Sequence, residues 1–129
     1  MTIEKKIIAT ENAPAPVGPY SQAIAAGELV FTAGLIALEP ESGQLVPGDI
    51  EAQTHRVLQN LQALLQAAGS SLAAVVKTTV FMTDLADFKR MNAVYAQYFA
   101  AEPPARSTVQ VAALGPGAQI EIECVALAR

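Results

Sequence analysis

The segment Gln119–Ala128 alternates in a way that restricts the folds open to this chain. Ile120, Ile122 and Cys124 fall in one phase and Glu121, Glu123, Val125 and Leu127 in the other. In Leu29–Leu38 the two-sided pattern is stronger, with Leu29, Phe31 and Leu35 alternating with Val30, Ile36 and Leu38. A strand with one face in water reads apolar-in, polar-out. Neither segment does, so both faces of the sheet they join have apolar surface to cover.

Few elements are available to cover it. Residues 5–9 read as a short first strand, and Asn12–Pro19, with three prolines, as an extended or turning loop. Tyr20–Ala26 and Leu29–Leu38 flank Gly27-Glu28, the signature of a β-hairpin turn. A long helix is predicted from about Ile50 to Ala68, with Asp49 as its cap, Glu51 in its first turn and Gly69 at its end. Its apolar positions, Ile50, Val57, Leu58, Leu61, Leu64, Leu65 and Ala68, follow helical spacing.

Val75–Thr83 is β-branched and strand-like. Residues 85–100 give a second helix with Phe88, Met91, Tyr95, Tyr98 and Phe99 along one side, stopped by Pro103-Pro104. Ser107–Ala112 and Gln119–Ala128 are the last strands, joined by a Gly115-Pro116-Gly117 turn. The order β-β-β-α-β-α-β-β places both helices in crossovers, and we expect an α+β domain over residues 1–129 with one sheet and both helices on one face. Two helices cover one face only. Self-association is the economical way to cover the other.

Composition agrees with that reading. Of the 129 residues 52% are hydrophobic and 16% charged, below the roughly 25% charged of an average domain. The net charge is −4, with four Lys and four Arg scattered along the chain, so no basic stripe is present to neutralise phosphates and nucleic acid is not an expected partner. Cys124 is the only cysteine, which fits a reducing compartment. The N-terminal stretch lacks the apolar run of a signal peptide, and no run approaches the roughly 20 residues that span a bilayer. The expected location is cytoplasmic, with no membrane partner.

The usual catalytic kits are missing. His55 is the only histidine, lies away from the apolar stripe of its helix and is expected at the surface. One His and one Cys in different elements cannot build a zinc site. No GxGxxG or Walker pattern occurs. Cys124, in phase with Ile120 and Ile122, is expected to pack as a small hydrophobe. Arg106 opens a strand after the stiff Pro103-Pro104, and its planar fork suits either a ligand carboxylate or a structural ion pair. Glu121 lies on the face assigned to the subunit contact, either solvated at a rim or desolvated and raised toward a useful base. Tyr20 either packs or presents its hydroxyl to a cleft.

Together, Asn12–Ala23 (NAPAPVGPYSQA), Phe31–Gly34 (FTAG), Val76–Leu85 (VKTTVFMTDL), Met91-Asn92, Pro104–Ser107 (PARS) and Ile120–Glu123 (IEIE) closely resemble the RidA (YjgF) family of reactive enamine/imine deaminases, from about residue 5 to the C-terminus. The resemblance implies a chorismate-mutase-like subunit in a homotrimer, with ligand clefts between subunits. It also implies hydrolysis of 2-aminoacrylate/2-iminopropanoate and 2-iminobutanoate to 2-oxo acids and ammonia, without cofactor or metal. Arg106 would hold the substrate carboxylate and Glu121 would position or activate water. Tyr20, Gly34 and Asn92 match other cleft positions, and Thr108 a small, often hydroxyl- or thiol-bearing one. Leu35 and Pro103 depart from the family, which often has Gln and a bulkier aromatic there. Two alternatives stand beside the enzyme: a non-catalytic protein binding a small carboxylate, and a ribonuclease or translation inhibitor, against which the acidic balance argues.

Overall fold

A computed structural model describes residues 2–129. The strands are β1 (Lys5–Ile8), β2 (Ala23–Ala26), β3 (Leu29–Thr32), β4 (Val75–Met82), β5 (Ala105–Gln110) and β6 (Ile120–Leu127), and the helices α1 (Ile50–Ala67) and α2 (Phe88–Tyr98). They form one six-stranded sheet in the order β1-β2-β3-β6-β4-β5, parallel only between β4 and β5. The crossovers β3-α1-β4 and β4-α2-β5 run across the sheet in one sense. Right-handed crossovers then put both helices on the same face, where α1 packs on β6 and against α2. The predicted α+β architecture, element order and placement of the helices are all present.

The local signals explain most element ends. Asp49 caps α1 by accepting from the Ala52 amide at 3.4 Å. At the other end Gly69 takes φ +78°, and the Ser70 amide reaches back to Leu65 O at 2.8 Å, a Schellman closure. The Ala26↔Leu29 pairing makes Gly27-Glu28 a two-residue hairpin turn, with Gly27 at φ +58°. After α2, Glu102 adopts φ +47° and turns the chain into Pro103-Pro104.

The helix-side core joins Val57, Leu58, Leu61, Leu64 and Leu65 of α1 to Met91, Tyr95 and Phe99 and to Val30, Val80, Met82, Ile120, Ile122, Cys124 and Ala126 beneath. Along β6 the in-phase residues Ile120, Ile122, Cys124 and Ala126 are buried, as the alternation requires. The opposite face carries Ile24, Phe31, Phe81, Val109, Val125 and Leu127, by register. Phe31 and Leu127 are 43% and 45% exposed. Among the described residues no helix or second sheet covers this face.

Strand three departs from expectation. Instead of running to Leu38, it ends at Thr32, and Leu35 rejoins β6 through an isolated bridge to Ile122. Phe31 pairs with Val125, so four steps on this side match three on β6: a bulge with one extra residue. Thr32 Oγ1 fills the gap by accepting from the Cys124 amide at 3.0 Å. The extra residue reverses the phase, so Leu35 is buried with Val30 rather than lying with Leu29 and Phe31. Strand two likewise begins at Ala23 rather than Tyr20, because Ala23 is opposite Ile8 and Thr32, the last residues of β1 and β3, and a 3-10 turn over Leu85–Asp87 precedes α2.

Candidate functional site: two half-clefts on opposite sides of the sheet

Glu121 follows the start of β6 and pairs with Phe81, which puts its side chain on the face away from the helices. Gly34, at the bulge, lies directly against it. A Cβ built on Gly34 would come within 2.7 Å of the Glu121 carboxyl carbon, so only glycine leaves room for that carboxylate. The backbone there has no positive φ, and the requirement is one of space. Tyr20, Pro14, Leu35, Gly115 and Pro116 complete a pocket of about 200 Å³. The Tyr20 hydroxyl accepts from the Val17 amide at 3.2 Å, closing the proline loop on itself. Burial pushes the Glu121 carboxyl above its ordinary value, and the charge on Glu123 adds to the shift.

Arg106 lies elsewhere. It pairs with Thr78, whose side chain is fully buried under α2, so Arg106 projects from the edge strand on the helix side. Its guanidinium carbon sits 4.7 Å from the centre of the Tyr95 ring and 5.5 Å from that of Phe88. Among the described residues every ion pair to a carboxylate belongs to Arg90, which joins Asp49, Glu51 and Asp87 at the starts of the two helices, and Arg106 has none. Asn92, Ala96, Phe99, Ala100, Pro103 and Pro104 line the open cleft beside it. Thr108, two residues on and in phase, has a buried Oγ1 with no hydrogen-bond partner.

The six predicted site residues thus fall into two groups. Tyr20, Gly34 and Glu121 share one half-cleft, Arg106 and Asn92 the other, and Thr108 lies on the same side as Arg106. The sheet separates them. The two departures divide the same way, Leu35 with Glu121 and Pro103 with Arg106.

Cys124 is buried as expected, with its thiol pushed up to about 12, chiefly by desolvation. His55 corrects the surface expectation. It is half-buried, with Nδ1 2.8 Å from the Tyr98 hydroxyl and the rings edge to face, because α2 packs alongside α1. Among the described residues no group of three or more His, Cys, Asp or Glu is placed to hold a metal ion, and no helix is long and apolar enough to cross a membrane.

Two supporting residues escaped the sequence reading. Gln22 is buried; its amide donates to the carbonyls of Thr10, Ala13 and Pro14, and its oxygen accepts from the Thr10 amide. Asn60 is buried on α1 and donates to Leu38 O at 2.8 Å and Ile36 O at 3.3 Å. Each holds a loop bordering the Glu121 half-cleft. Gln22 had a usable signal, since a segment with three prolines is short of amide donors and leaves carbonyls to satisfy.

Residues 10–128 match the family model described as Endoribonuclease L-PSP. The chain belongs to this family, which is the RidA/YjgF family. It is 53% identical over 125 residues to the chloroplastic Reactive Intermediate Deaminase A of Arabidopsis thaliana, covering 97% of this chain and 67% of the relative. It is 44% identical over 126 residues to the 2-iminobutanoate/2-iminopropanoate deaminase of mouse, covering 98% and 93%. The crystal structure of E. coli TdcF with bound serine superposes with a TM-score of 0.90 at 44% identity, covering 95% of this chain and 98% of that one.

Proposed function

We propose that this chain hydrolyses 2-imino acids and their enamine tautomers, among them 2-aminoacrylate/2-iminopropanoate and 2-iminobutanoate, in clefts between copies of itself in a homotrimer. The observation that carries the reading is the separation of Arg106 from Glu121. Each stands in an open half-cleft lacking the other's chemistry, and the uncovered apolar face that bears Glu121 gives a second copy a reason to dock. The names of the RidA relatives and the serine bound to TdcF support a small amino-acid-like ligand.

In this reading, Arg106 of one copy takes the substrate carboxylate on its unpaired fork by two parallel, charge-assisted hydrogen bonds. Glu121 of the next copy accepts a proton from water as the oxygen adds to C2. The resulting carbinolamine takes a proton on nitrogen and collapses. One imino acid and one water give one 2-oxo acid and one ammonia. The imine carbon is already electrophilic, so orientation and a single well-placed base are sufficient. A desolvated glutamate is a stronger base than a solvated one, which suits the raised Glu121 carboxyl. Asn92 and Thr108 would meet the substrate beside Arg106, and Tyr20 would close the Glu121 side.

The test is formation of 2-oxo acid when a PLP-dependent dehydratase generates the enamine in situ. The expected result is release faster than in buffer and abolished in Arg106→Ala. Saturable binding of a 2-oxo acid without turnover would instead make the chain a binding protein.

A further inference from the structure

An arginine that must receive a ligand carboxylate faces a conflict. Its long side chain loses much rotamer freedom when it is fixed and wants an anchor, yet the usual anchor, a carboxylate, would occupy the fork. Around Arg106 the conflict is resolved without an ion pair. The guanidinium lies over the faces of Tyr95 and Phe88, within the range of a cation–π contact, and no carboxylate among the described residues pairs with it. A ring face restrains the guanidinium plane while leaving its fork free of any carboxylate among the described residues.

The ring is itself fixed. The Tyr95 hydroxyl is 2.8 Å from Thr78 Oγ1, and both residues are buried. Phe99 packs against the same ring with centroids 4.7 Å apart. Thr78 is also the register partner of Arg106 across the parallel β4–β5 pair. One strand position therefore locates both the root of the arginine and the plane on which its head rests. The Tyr95 hydroxyl is occupied by Thr78, and burial raises its pKa, so it is unsuited to donating a proton to a substrate.

We infer that Tyr95, locked by Thr78, is the positioning residue that presents the Arg106 fork to an anionic ligand. The inference deepens the proposed deaminase reading and takes from it only the identity of the ligand.

It is tested on the full chain by titrating pyruvate, with pyruvamide as the ligand that lacks the carboxylate. Tyr95→Leu should weaken pyruvate about ten-fold and leave pyruvamide unchanged. Thr78→Val and Tyr95→Phe should each weaken pyruvate about three-fold, and the double variant no further, since both remove one hydrogen bond. In turnover the same variants should raise KM with kcat within about two-fold. Pyruvate affinity equal to wild type in all of them, or equal weakening of pyruvate and pyruvamide, overturns the inference. Should Tyr95→Leu fail to fold, the near-isosteric Thr78→Val carries the comparison. Wild type that binds pyruvate without turnover sinks the deaminase reading and leaves the variant comparison to decide this one. Wild type that binds no pyruvate overturns both.

Discussion

Gly34 and Glu121 are one structural decision made by two residues. The carboxylate occupies the space a side chain on Gly34 would need, so Gly34→Ala must displace Glu121. Because the backbone there is unstrained for alanine, the fold should survive, while kcat falls about a hundred-fold, the usual result of moving a reacting group by an ångström. Glu121 itself yields a linked pair of predictions. Its folded pKa is raised, so the folded state holds the proton more tightly than the unfolded chain. The stability it contributes is present at low pH and lost as pH rises through the raised value. Glu121→Gln should therefore increase the melting temperature at pH 7 while removing activity. In wild type, kcat/KM should rise with pH through an apparent pKa above the ordinary carboxylate value of 4.5. A profile flat across that range would remove Glu121 as the base.

At the level of elements, polar residues buried on an otherwise apolar face tie the loops to the scaffold. Periodicity located α1 within a residue and its apolar stripe almost completely, because helical spacing and capping are local signals. It could not show that Gln53, Thr54 and Asn60 are buried too, since their reason lies in partners far along the chain: Asn60 reaches Ile36 and Leu38, and Gln53 accepts from the Gln119 amide at 2.8 Å. The bulge after Thr32 was invisible for the same reason, as a one-residue shift is defined only against β6. Asn60→Ala should cost about 1–3 kcal/mol, the penalty for leaving buried carbonyls unpaired. Gln22→Ala, with four such bonds, should cost at least as much by urea denaturation. Both should also impair turnover, through the loops that border Glu121.

For the whole molecule, the two-sided alternation of strands three and six was the most informative part of the sequence. It announced a sheet face that no element of the chain could cover, and that face is open. The candidate residues were legible as a set through the family resemblance. Their division was not, because which face Arg106 occupies depends on its pairing with Thr78 across the sheet. Under the proposed function, that division makes an active site a property of two chains. Mixing two inactive variants tests it most directly. Arg106→Ala and Glu121→Gln chains, co-refolded in equal amounts, should recover about a quarter of wild-type activity, because random assembly unites an intact Arg106 with an intact Glu121 at one site in four. If both residues serve one site within a single chain, every site in the mixture carries a defect. Activity staying at the level of the separate variants, in oligomers shown to have exchanged, would mean that Arg106 and Glu121 do not meet across a subunit boundary.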